Sequence, residues 1–170
     1  MQPVAQSSGR LLDDSFLRFL PSPLREPRRP WLAILTGWAL SLLGSIALAS
    51  LSKLIAPALP APEFPMKGPV VFLLLVAFAP FVETLIMGGV LSLLLRVVSP
   101  PVAIVLSAVG WGIAHSSEAL GWGLVIWWPF LIFSTLFVVW RQRGVWLAIA
   151  IVTATHALQN VGPAYLVAFG

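Results

Sequence analysis

The chain contains no cysteine. Disulfides, thiolate metal sites and cysteine nucleophiles are therefore excluded. Charge is nearly as scarce: 9% of the 170 residues are Asp, Glu, Lys or Arg, against 59% hydrophobic. Soluble domains are about a quarter charged, and so few charges cannot coat a water-soluble particle of this size. A soluble enzyme and a disordered tail are poor readings. So is a nucleic-acid partner. The net charge of +4 comes from ten basic residues, most of them just outside apolar stretches, where membrane topology accounts for them better.

What is present is a series of long uncharged runs. Arg29 to Lys53 encloses 23 residues, Lys67 to Arg96 encloses 28 with Glu83 alone among them, Arg96 to Glu118 encloses 21, Glu118 to Arg141 encloses 22, and 27 follow Arg143. About 20 apolar residues cross a hydrocarbon core as a helix. The fold class expected is all-α, a polytopic transmembrane bundle with about five spans near 31–52, 69–95, 101–118, 121–140 and 145–168. An open sheet edge cannot be satisfied in lipid, and runs such as 70–79 lack the two-residue alternation of a membrane barrel. Pro80 is expected to kink the long second run or divide it.

Residues 1–30 read as a Pro- and Arg-rich cytoplasmic tail and 31–170 as the transmembrane domain. The tail has no apolar core long enough for a cleavable signal. Leu12, Phe16, Phe19 and Leu20 could share one face of a short interfacial helix; a tail without fixed structure is the alternative. Arg10, Arg18, Arg25, Arg28, Arg29, Arg96, Arg141 and Arg143 all fall on one side of the proposed topology, and Lys53 and Lys67 on the other. The positive-inside rule then predicts a cytoplasmic N-terminus. Trp31, Trp122, Trp140 and Trp146 sit near proposed helix ends, where interfacial aromatics belong. Gly88, Gly89, Gly110 and Gly112 are expected at close helix contacts.

Three ionisable side chains lie inside the runs: Glu83, His115 and His156. A charge there costs about 2.5–3.5 kcal/mol on insertion scales, so such groups face the bundle interior and find partners. Asn160 follows His156 by four residues, and His115 follows Trp111 by four, spacings that share a helix face. At about 1.5 Å per residue, the three ionisable groups fall within roughly 10 Å of one another in depth. Each alone has a structural reading: a histidine or protonated carboxyl bonded to a neighbouring helix, an asparagine as packing glue.

The order and context of these residues resemble the CPBP family (CAAX proteases and bacteriocin-processing enzymes, also called Abi). That family carries Glu-Glu-x-x-x-Arg, then an aromatic four residues before a histidine, then His-x-x-x-Asn or His-x-x-x-Asp. The counterparts here are Glu83-Thr84-Leu85-Ile86-Met87-Gly88, Trp111-Gly112-Ile113-Ala114-His115 and His156-Ala157-Leu158-Gln159-Asn160, within a similar stretch of about 69–165. Two positions depart: Thr84 stands for the second glutamate and Gly88 for the arginine, which leaves less charge to hold Glu83 in place.

The resemblance implies an intramembrane glutamate-dependent endopeptidase acting on a membrane-associated peptide or protein, in a bacterial inner membrane. Its catalytic residues would be Glu83, His115, His156 and Asn160. Glu83, assisted by His115, would take a proton from water, while His156 and Asn160 would donate to the oxyanion. No cofactor is expected; a catalytic zinc held by Glu83 and the two histidines is the lesser alternative, since the helical His-Glu-x-x-His motif is absent. The main rival is an inactive CPBP-like scaffold subunit that docks other integral membrane proteins. A proton-coupled transporter comes third, because no internal repeat is visible.

Overall fold

The computed structural model describes residues 11–60 and 62–170. The first ten residues of the tail, with Arg10, lie outside the described residues. Among the described residues there is no strand. Six helices follow one another: α1 (Ser22–Arg25), α2 (Pro30–Ile55), α3 (Pro69–Leu94), α4 (Pro100–Ser116), α5 (Leu120–Trp140) and α6 (Val145–Phe169). The protein is an all-α membrane bundle. α2, α3, α5 and α6 are long and apolar enough to span. α4, with 17 residues, is about 26 Å long at 1.5 Å per residue, the shortest of the five.

Three of these helices open on proline, at Pro30, Pro69 and Pro100. The first helical position has no intrahelical use for an N–H, and the fixed proline φ already suits the helix. Of the two outcomes expected at Pro80, a kink or a division, the run is not divided. α3 continues through the proline, and the adjustment is a π turn at Leu74–Phe78 immediately before it. There the Ala79 N–H reaches back five residues to the Leu74 carbonyl. A π turn absorbs the missing proline donor without ending the helix.

α5 forms the centre and touches α2, α4 and α6. Every residue from Pro129 to Trp140 is buried, as befits a helix that is apolar on all sides. Trp140 is one of these residues, fully enclosed rather than at a lipid interface as expected, while Trp31 and Trp146 are exposed. The N-terminal segment also packs inward. A 3-10 turn (Phe16–Phe19) and α1 replace a single interfacial helix. The leucines at 12, 17, 20 and 24 join the buried core, whereas Phe16 and Phe19 are exposed. Arg25 pairs with Asp13, and the Arg143 guanidinium donates to the Pro27 carbonyl at 3.1 Å.

Glycine permits the closest α2–α5 approach. A Cβ on Gly44 would fall within the Trp128 indole, whose Nε1–H donates to the Leu40 carbonyl at 2.8 Å. Of the four glycines expected at contacts, Gly88 and Gly112 meet a neighbouring helix; Gly89 and Gly110 face open space. Gly44→Ala is therefore expected to displace Trp128 and lower stability by about 1–3 kcal/mol. Thermal unfolding in detergent should show the loss for Gly44→Ala and none for Gly89→Ala.

Candidate active site

The polar residues of the spans come from three helices. Glu83 lies midway along α3, His115 at the end of α4, and His156 and Asn160 one turn apart on α6. The Glu83 carboxylate Oε2 stands 3.8 Å from His156 Nε2. That is longer than a hydrogen bond, so the pair is adjacent without being locked together. The His156 side chain is 6% exposed and that of Glu83 25%.

The imidazole of His156 stacks on Phe133, with centroids 4.6 Å apart, and meets the edge of Phe130 at 5.5 Å. His115 lies 5.6 Å from the same Phe130 ring and 4.7 Å from Trp122 in an edge-on contact. Trp111 completes the group by stacking on Phe130 at 4.4 Å. The two histidines thus share one aromatic neighbour, and Glu83 approaches His156 rather than His115. His115 Nδ1 is 2.9 Å from the Trp111 carbonyl. A carbonyl only accepts, so Nδ1 carries the hydrogen and the neutral ring keeps its Nε2 lone pair for other work.

Asn160 is oriented by the fault in α3. Its Nδ2 donates to the Leu75 carbonyl at 2.9 Å. In a regular α-helix that carbonyl would accept from residue 79, but the Ala79 N–H is committed to Leu74. In the π register it would accept from residue 80, and Pro80 has no N–H. The chain therefore leaves one carbonyl open inside the bundle, and Asn160 fills it. The second hydrogen of the carboxamide remains available.

His156 and Asn160 line a cavity of about 510 Å³ whose other walls are largely apolar, with Trp122, Phe130, Phe133 and Leu75 among them. Gln159 and Ser45 add a polar strip: Gln159 Nε2 donates to Ser45 Oγ at 3.4 Å, and its Oε1 has no partner. Glu83 and His115 are not part of this wall; Glu83 adjoins it through His156, 3.8 Å away. Among the described residues, no three His, Asp or Glu side chains converge closely enough to hold a metal ion.

Thr84 and Gly88 lie one turn apart on the buried face of α3. A Cβ on Gly88 would come within 2.7 Å of the Phe137 ring, which is itself buried. The Thr84 hydroxyl has no hydrogen-bond partner. At Gly88 the interior is filled by this aromatic ring, with no room for a long cation.

The family model of type II CAAX prenyl endopeptidase Rce1-like proteins matches residues 65–162, more than half of the chain, including Glu83, His115, His156 and Asn160. The chain belongs to this family. No curated protein and no solved structure matches it. Its architecture is accordingly that of a CAAX-type intramembrane protease embedded in a lipid bilayer, and it is an integral membrane protein whose family acts on membrane-associated substrates.

Sequence patterning missed the aromatic box and the Gln159–Ser45 pair. α5 is apolar on all faces, so nothing in its periodicity marks Phe130 and Phe133 as neighbours of histidines. Asn160→Ala is expected to leave the Leu75 carbonyl without a donor, at a cost of about 1–3 kcal/mol. A fall in thermal stability for Asn160→Ala, with recovery in Asn160→Gln smaller than the loss, would check it.

Proposed function

We propose that this Rce1-like protein is an active glutamate-dependent endopeptidase that hydrolyses a peptide bond in a membrane-associated substrate. The observation that carries this reading is the approach of Glu83 to His156 beside the cavity, from two helices brought together inside the bilayer. A catalytic pair is often long in the empty site and tightens around substrate and water.

In this mechanism Glu83 takes a proton from a water whose oxygen adds to the substrate carbonyl carbon. His115 assists, with its Nδ1–H tied to Trp111 and its Nε2 free. His156 and the spare Asn160 N–H donate to the oxyanion, in a water-poor pocket where two aimed donors count for more than in solution. Collapse of the tetrahedral intermediate breaks the C–N bond, and the proton held by Glu83 passes to the departing amine. The chemistry uses no cofactor. The N-terminus is cytoplasmic in this reading, on the asymmetry of the arginines, and the membrane is taken as a bacterial inner membrane.

The second reading is a catalytically silent scaffold that docks other integral membrane proteins. Phe137 filling the space at Gly88, where the family motif has an arginine, favours it. The two readings separate cleanly. Glu83→Gln and His156→Ala should each lower cleavage of a membrane-associated peptide by about 10²–10⁴-fold while the protein still purifies folded. Wild-type activity in both variants would rule the mechanism out. A protein without peptidase activity that purifies with a stoichiometric membrane partner would establish the scaffold instead.

A further inference from the structure

The cavity occupies only one half of the bundle. Its walls come from the second half of α2 (Ser45, Ala49), the first half of α5 (Trp122, Phe130) and the second half of α6 (Asn160, Val167). In an up-and-down bundle those halves share one end, the end that carries the loop between α2 and α3 and the last turn of α6. Gly68 in that loop donates its N–H to the Ala168 carbonyl at 2.9 Å, which ties the two features together. A second cavity of about 370 Å³ shares Ala49, Pro62, Trp122 and Val125 with the first and extends to Lys53 and Pro57. The two adjoin along these shared walls, and we read them as one passage from His156 to this end of the molecule.

The opposite end is packed shut. There α5 is buried without interruption through Trp140, and the buried leucines of the N-terminal segment are part of the same core. All seven described arginines lie at this closed end or in the segment that caps it, whereas both lysines lie at the open end with Glu63 and Glu118. The charge asymmetry places the closed end in the cytoplasm. The passage then opens away from it.

We propose that the catalytic cavity is served from the extracytoplasmic side, and that its substrate is an extended peptide segment that has already crossed the bilayer; the inference rests on the peptidase reading above. A lipid-anchored tail on the cytoplasmic face has no route to His156 past the packed half of α5. The lining also fits a peptide better than a bare hydrocarbon chain. The Gln159 Oε1 atom is buried without a donor beside the Ser45 hydroxyl, and a peptide backbone brings an N–H at nearly every residue to meet it. The apolar walls receive the side chains.

The absence of cysteine makes the test direct. Glu63→Cys marks the loop at the open end, Val125→Cys the passage wall and Gln142→Cys the closed end, each in the otherwise intact chain. In sealed right-side-out membrane vesicles treated with a membrane-impermeant maleimide, the first two should label. Gln142→Cys should label only after permeabilisation. The reverse pattern, or labelling of Val125→Cys only when Gln142→Cys also labels, overturns the proposal; Ala49→Cys replaces Val125→Cys if that variant does not fold. Labelling requires no catalysis. Outward labelling with no peptidase activity therefore sinks the catalytic reading alone, and activity with inverted labelling sinks this one alone.

Discussion

In hydrocarbon every backbone polar group must find its partner within the protein. The site depends on how this chain meets that demand at one place. Pro80 withholds an N–H, the π turn before it moves the Ala79 donor to Leu74, and the Leu75 carbonyl is left open. Asn160 answers from another helix. The same bond that satisfies the backbone aligns α3 with α6, and that alignment brings Glu83 to His156. A local irregularity in one helix thus sets the register between the two helices that carry the acid and the imidazole.

Around that pairing the interior is built from rings. Phe130 serves both histidines, Phe133 stacks on one and Trp122 stands edge-on to the other. Aromatic faces hold an imidazole in orientation with few competing hydrogen bonds. The same economy appears at Gly88, where Phe137 occupies the interior. The result is a site with little fixed charge around Glu83, positioned by packing and by carbonyl contacts more than by ion pairs. The N-terminal segment extends this logic, closing one end of the bundle with leucines while the cavities lie toward the other.

The four candidate site residues were legible because ionisable and carboxamide groups are conspicuous in an apolar chain and because a four-residue interval has one meaning on a helix. Which of them meet was not. The neighbour 3.8 Å from Glu83 is His156, a proximity that follows from the rotation of α3 about its axis, which the π turn fixes and composition does not. Trp140 shows the same limit. An aromatic at the end of an apolar run reads as interfacial, but it is fully buried because the following turn and the N-terminal segment cover it. Leu17 and Leu24, rather than Phe16 and Phe19, joined the packed face because two short turns do not keep the periodicity of one helix.

By itself the sequence determined the solvent, the helical class, the spans to within a few residues and the identity of the polar groups that lipid would not tolerate at its surface. Hydropathy and spacing along one helix are local properties, so one dimension records them. Tertiary structure decided the partners: the Leu75 carbonyl for Asn160, the shared Phe130, the ring that fills the space at Gly88, and the end at which the cavity opens. Each of these depends on rotation and depth between helices that are uniformly apolar outside, and a uniformly apolar face carries no mark of the neighbour it will meet.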